Sequence, residues 1–258
     1  MTALQQRRSD AILRDLAPFL AGAVAVVAWK LLVVVAEYPV YILPAPEEVA
    51  GRFVSAWADG TIAPHAARTV VEVLLGFGLG AGAAVIVGYV LARLPLAERV
   101  LSPYIVAAQA TPILALAPLL ALWFGSGLLP KVLICALIVF FPVAIATMVG
   151  IRSVDAGLLE LARSLRATRR QVVGTLEVPA ALPSIFGGLR VGVTLAVVGA
   201  IVGEWAGADR GLGLLVNLAR GSLFDTPLFF ATLLTIALLG VALYALVVLA
   251  ERTLVRPR

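Results

Sequence analysis

The sequence predicts an all-α polytopic membrane protein with about six transmembrane helices and a cytoplasmic pair of short helices between spans four and five. Three observations predict it. Of 258 residues, 62% are hydrophobic and only 14% charged, and the mean hydropathy is +1.05; soluble domains are roughly half apolar and a quarter charged. Six apolar runs reach the ~20 residues that a bilayer core demands, at about 18–37, 67–92, 99–123, 130–150, 183–204 and 228–250. The longest polar interruption between late spans, 151–182, is rich in arginine. The chain is a single membrane domain over 1–258, with a cytoplasmic tail at 1–17, an external loop at 38–66 and a cytoplasmic loop at 151–182.

The first run matches a full span and lacks a small-residue cleavage site, so it is expected to stay as a transmembrane helix. Lys30 sits near its outer end, where its stem can snorkel. In the external loop, Pro46 suits a first helical turn, Glu47 and Glu48 favour the positive end of the dipole, and Val49, Phe53, Ala56 and Trp57 share one face. These residues predict a short interfacial helix anchored by Trp57.

Span two carries Gly76 with Gly80 and Gly78 with Gly82, both at the small-xxx-small spacing that lets helices approach closely in lipid. Pro112, Pro118 and Pro142 fall within spans three and four and predict bent helices whose freed carbonyls need partners. The lone cysteine, Cys135, excludes a disulfide framework and is expected to pack.

Orientation follows from the basic residues. With the amino terminus inside, Arg7, Arg8, Arg14, Arg93, Arg99, Arg152, Arg163, Arg166, Arg169, Arg170, Arg190, Arg252, Arg256 and Arg258 are cytoplasmic. Arg52, Arg68, Lys131, Arg210 and Arg220 lie outside, and fourteen against five, with Lys30 in the first span, accounts for all twenty. The positive-inside bias puts both termini in the cytoplasm. It also accounts for a pI near 9.9 without invoking nucleic acid.

In the cytoplasmic loop, Asp155 can cap a helix whose Leu158, Leu161, Ala162 and Leu165 recur at helical spacing, with Glu160 on another face. A break follows at Arg166 and Ala167. Thr168 with Gln171 forms a capping box that starts a second helix bearing Val172, Val173 and Leu176, which is expected to stop at Pro179. A DNA-binding helix-turn-helix fits this pattern only loosely, since it needs a third helix and both flanks here enter the membrane. A lipid-surface helix pair explains the arginines but not two apolar faces held across a break.

The loop resembles the signature of permease subunits of bacterial binding-protein-dependent ABC importers: Glu-Ala-Ala, three residues, Gly, nine residues, Ile-x-Leu-Pro. Glu160, Ala162, Leu176, Val178 and Pro179 fall at matching positions, whereas Leu161 replaces an Ala and Arg166 the turn Gly. A left-handed turn without Gly costs about 1 kcal/mol. "LPAPEEV", "TPILALAPLLALWFGSG" and "VGEWAGADRGLGLLV" also resemble the subgroup handling nitrate, sulfonates, taurine, bicarbonate and pyrimidine precursors of thiamine, so the likeness covers about 43–251. The last third is nearer to the pyrimidine-precursor and riboflavin-type members.

The resemblance implies a transport subunit of the bacterial cytoplasmic (inner) membrane. Asp155, Glu160, Leu161, Ala162, Leu165, Arg166, Thr168, Val172, Leu176 and Pro179 would dock on separate ATP-binding cassette subunits. ATP and magnesium would belong to those partners, with no cofactor on this chain. A second permease copy, most simply a homodimer, would complete the pathway, and a periplasmic or lipid-anchored solute-binding protein would deliver substrate. Alternating access would follow from rigid-body movement of the coupling helices.

Independently, no Walker A loop exists, since neither Lys30 nor Lys131 follows a glycine. No nucleophile motif or metal set points to an enzyme, and His65 has no second ligand nearby. Gln109 and Thr111, beside Pro112, are the pathway candidates in span three, because polar groups in lipid face protein or a cavity. Glu72 and Glu204 fall at span ends, where they can meet headgroups or docking surfaces, and Glu204 joins the pathway candidates. Outside, Leu212, Leu215, Val216 and Ala219 predict a short helix near a gate. The alternative, a self-contained secondary transporter or channel, would need carboxylates or histidines buried in its spans.

Overall fold

A computed structural model describes residues 3–110 and 112–255. In chain order the helices are α1 (Ala3–Val35), α2 (Pro46–Ala58), α3 (Ala63–Arg93), α4 (Pro95–Ala110), α5 (Ile113–Phe124) and α6 (Leu128–Arg152). There follow α7 (Ala156–Ser164), α8 (Arg169–Val172), α9 (Val178–Trp205), α10 (Leu212–Gly221) and α11 (Thr226–Leu254). Four helical stretches are long and apolar enough to cross a membrane: Ala63–Arg93, Leu128–Arg152, Arg169–Trp205 and Thr226–Leu254. They correspond to predicted spans two, four, five and six. Predicted span one lies within α1, whose apolar part is Phe19–Val35.

Predicted span three is not one helix. Pro112 is extended, at φ −68° and ψ 95°, and begins α5 afresh after α4 ends at Ala110. A proline offers no N–H to the preceding turn and pushes its predecessor out of the helical region, so an apolar run alone does not guarantee continuity. Pro142, by contrast, is carried inside an unbroken α6.

The core is built by α3, α6 and α9, with α11 covering one side; Val73, Ala84, Cys135, Val139, Val143, Val193, Ala196 and Leu243 are buried there. Small residues set the approach. A Cβ on Gly88 would come within 2.5 Å of the Ala144 carbonyl oxygen, and one on Gly188 within 2.6 Å of the Ala146 Cβ. Gly76 and Gly80 likewise press on Cys135 and Ala136, whereas Gly78 and Gly82 face open space. Only one of the two predicted glycine pairs, Gly76 with Gly80, is therefore a packing seam within the chain. Cys135 packs as expected, its thiol donating to the Ala196 carbonyl at 3.3 Å.

Helix α2, predicted to be external and interfacial, is also built into the fold. Val49 and Ala56 are buried, and Ala56 joins Ile62, Leu212, Leu215, Ala219 and Leu228 in a second cluster beneath α10 and α11. Arg52 Nε donates to Asp225 Oδ2 at 2.8 Å, fixing α2 to the turn before α11. Trp57 stays 40% exposed, free to serve as the predicted anchor. Lys30 reaches beyond snorkelling to pair with Glu47, and that ammonium holds the Glu47 carboxyl below the usual carboxylate range.

Candidate coupling surface and membrane cleft

The loop predicted to be cytoplasmic, 151–182, is fastened at both ends. At the end of α6, Arg152 makes a two-pronged contact with Glu98, NH1 to Oε1 at 2.8 Å and NH2 to Oε2 at 2.6 Å, and NH2 also reaches the Leu91 carbonyl at 3.0 Å. Such paired charge-assisted bonds fix orientation as well as distance. At the far end, Glu177 is 1% exposed and paired with Arg93 from the tip of α3. Sequence reasoning missed this pair, since no spacing signal links residues so far apart in the chain.

Between these anchors each predicted capping residue acts as expected. Asp155 Oδ1 accepts from the backbone N–H groups of Gly157 at 2.8 Å and Leu158 at 3.2 Å, starting α7. Thr168 N donates to Gln171 Oε1 at 2.8 Å and Gln171 N donates to Thr168 Oγ1 at 3.4 Å, closing the capping box of α8. The turn between them is left-handed at Arg166, φ 54°. Ala167 N donates to the Ala162 carbonyl and Arg166 N to the Arg163 carbonyl, both at 2.9 Å. That pair of bonds is the Schellman closure in which Gly is usual, so the turn keeps the geometry of the signature although its glycine is replaced.

The α7 side chains divide cleanly. Ala162 is buried, while Leu158, Leu161 and Leu165 are exposed, the last two at 56% and 73%. Glu160 is exposed beside them. On the second helix Val172 and Leu176 are half-buried. A cleft of about 420 Å³ separates the pair from the tip of α3, lined by Arg93, Leu159, Arg163, Arg169, Val172 and Glu177, among others.

Pro179 does not end the second helix. A π-helical turn, Val173–Glu177, joins α8 to α9, with Val178 N bonded to the Val173 carbonyl. Pro179 then occupies the first turn of α9. The wider turn removes the clash between the proline ring and the preceding carbonyls, and a missing N–H is harmless at that point. Residues Arg169–Trp205 thus form one continuous 37-residue helical stretch.

Of the pathway candidates, Gln109 lines a cleft of about 670 Å³ on the face of α6 and α9, shared with Pro142, Ala146, Ser184, Gly188 and Val191. Thr111 lies outside the described residues. Pro112 forms the break between α4 and α5. Glu204 is elsewhere: it is 1% exposed in the last turn of α9, and accepts from Thr69 Oγ1 at 2.6 Å and from Gly213 N at 2.5 Å. Glu72 is fully buried as well, with Arg68 Nε donating to its Oε1 at 2.8 Å. Both carboxyls are buried within the chain, and Glu204 is not among the residues lining the Gln109 cleft. Their partners come from other helices, which sequence position at a span end does not reveal.

His65 also belongs to this outer assembly, its Nδ1 lying 2.8 Å from the Gly211 carbonyl oxygen and 3.1 Å from the Gly211 nitrogen. The predicted outer helix is α10, with Leu212, Leu215, Val216 and Ala219 all buried.

Comparison with known proteins gives concordant results. The sequence model of the family described as binding-protein-dependent transport system inner membrane component matches residues 80–256. The chain is 48% identical over 230 residues to the riboflavin transport system permease protein RibX of Chloroflexus aurantiacus, covering 89% of this chain and 85% of that protein. It is 34% identical over 239 residues to the formylaminopyrimidine transport permease protein ThiX of Halalkalibacterium halodurans, covering 93% and 94%. It is 30% identical over 223 residues to the taurine transport system permease protein TauC of Escherichia coli, covering 84% and 81%. An inward-facing structure of the MetNI methionine ABC transporter shares the fold with a TM-score of 0.60 at 20% identity, over 76% of this chain and 94% of that one.

Proposed function

Because this chain belongs to the family of binding-protein-dependent transport system inner membrane components, we propose that it carries a riboflavin-like or pyrimidine-type solute through the bacterial inner membrane. It is an ABC importer permease, a transport subunit and not an enzyme. The substrate reading rests on the 48% identity to a riboflavin permease, with the 34% identical formylaminopyrimidine permease as the second choice. Sulfonate and taurine rank behind them, the taurine permease being 30% identical.

The observation that carries the mechanism is the exposed row Leu158, Leu161 and Leu165 on a helix held at both ends. Apolar side chains facing water are costly unless a partner covers them. A separate ATPase subunit is that partner, binding ATP and magnesium and taking α7 and α8 as rigid bodies. Glu160 and the loop arginines supply rim charges that set the docking register. The Gln109 cleft, open on one face of the chain, is the part of the pathway completed by a second copy. An external binding protein feeds solute from the α2 and α10 side, with both termini in the cytoplasm.

Two measurements test this. Uptake of labelled riboflavin, formylaminopyrimidine and taurine by cells holding the complete transporter should show saturable riboflavin uptake that the other two compete with poorly. A flat riboflavin signal beside strong uptake of another solute rejects the substrate reading. Changing Glu160 and Leu165 both to Arg should abolish co-purification of the ATPase while membrane insertion persists. Retained co-purification and normal uptake would reject the docking surface.

A further inference from the structure

The outer ends of α3 and α9 bring two buried carboxyls together. Glu72 lies one turn along α3 from Thr69, whose hydroxyl donates to Glu204 Oε1 at 2.6 Å, and both carboxyls are buried at this α3–α9 contact. Glu204 takes the Thr69 hydroxyl on Oε1 and the Gly213 N–H on Oε2, which leaves a lone pair on each oxygen for a further donor. Glu72 Oε1 takes Arg68, but its Oε2 is buried with no hydrogen-bond partner.

Among the described residues no neighbour donates to Glu72 Oε2. From α3, Arg68 is committed to Oε1 and His65 to Gly211. From α6, Lys131 donates to the carbonyls of Ser126 and Gly127. From the loop between α9 and α10, Asp209 and Arg210 line a separate cleft of about 280 Å³ with Arg68 and Lys131. Buried polar atoms without partners are rare and costly, and two carboxylates side by side cannot both stay ionised cheaply. A proton removes both problems at once.

We propose that Glu72 and Glu204 form a proton-binding site, one proton carried on Glu72 Oε2 and donated to Glu204. Glu204 in turn holds α10. Its Oε2 accepts from Gly213 in the first turn of α10, and Thr69 Oγ1, which donates to Glu204, accepts from Leu212 N at 2.9 Å. A Cβ at Gly211 would overlap the Glu204 carboxyl, so the α10 segment is seated directly on this pair. The site therefore clamps α10 to α3 and α9. Loss of the proton would leave two facing negative charges and push the clamp apart. The clamped state binds one proton more than the released state, so release is favoured as pH rises, by up to about tenfold per unit.

The test uses the full chain in lipid nanodiscs. Infrared difference spectra of the native chain against Glu72→Gln at neutral pH should show a protonated-carboxyl C=O band present in the native chain and lost in the variant. Deuterium exchange of α10 should give native protection factors that fall with rising pH, while Glu72→Gln, whose amide still donates, keeps α10 protected at every pH. A band that survives Glu72→Gln overturns the proposal. So does native α10 protection that stays level as pH is raised, and that native series decides the matter even if the variant fails to fold. A merely structural role for Glu72 predicts no pH term in either chain.

Discussion

Arg166 holds a backbone conformation that side-chain-bearing residues avoid, φ 54° at the turn between α7 and α8. The turn survives because two Schellman bonds, the Asp155 cap and the Thr168–Gln171 box all specify it at once. Changing Arg166 to Gly should keep those bonds, relieve about 1 kcal/mol of strain and leave or raise the midpoint of thermal unfolding in detergent. A clear drop in that midpoint would show that the arginine side chain contributes more than its backbone costs. Thr168→Ala should act in the opposite direction, costing about 1 kcal/mol through loss of the cap, read in the same melt. Glu37 and Phe224 repeat the left-handed ending at φ 52° and 49°. After α1, Tyr38 N donates to the Val33 carbonyl at 3.3 Å across Glu37, as Ala167 N does to Ala162 across Arg166, whereas Phe224 lies two residues beyond the Ser222 cap of α10.

At the scale of elements, the seams between α3, α6 and α9 depend on particular glycines. Gly88→Val should force α3 away from the Ala144 carbonyl, with a loss on the order of 1–3 kcal/mol. Gly82→Ala, facing open space, should be silent or slightly stabilising. Thermal unfolding of the two variants side by side separates a seam from a coincidence of spacing. This is also where the sequence was least legible. The small-xxx-small pattern marked two glycine pairs equally, and only tertiary packing distinguishes Gly76 and Gly80 from Gly78 and Gly82. Local chemistry was legible: the caps at Asp155 and Thr168 and the buried stripe of α10 depend on residues within one or two turns. Long-range pairs were not. Glu204 looked like a span-end carboxylate because Thr69, Glu72 and Gly213 approach it only in the fold. Pro179 looked like a stop because a π-turn is invisible to a 3.6-residue period.

For the whole molecule, the consequence of that π-turn is helical continuity past Pro179. The stretch Arg169–Trp205, 37 residues and about 55 Å of contour at 1.5 Å per residue, runs from the exposed α7–α8 pair to Glu204, the carboxyl that seats α10. α8 is joined to α9 through that turn with no intervening loop, and the Arg93–Glu177 pair ties the same point to α3. Changing Arg93 to Gln leaves Glu177 buried without its cation, a defect worth up to about 3 kcal/mol, reduced because Arg93 is partly exposed. The exposed leucines of α7 are untouched by that change, so the ATPase partner should still co-purify while uptake falls sharply: docking kept, transmission lost. Adding Glu177→Gln removes the stranded charge and should recover thermal stability toward the native value, though not the full uptake that depends on the tie. Undiminished uptake in the Arg93→Gln variant, or a double variant no more stable than the single one, would show that α3 follows the helix pair by some other contact.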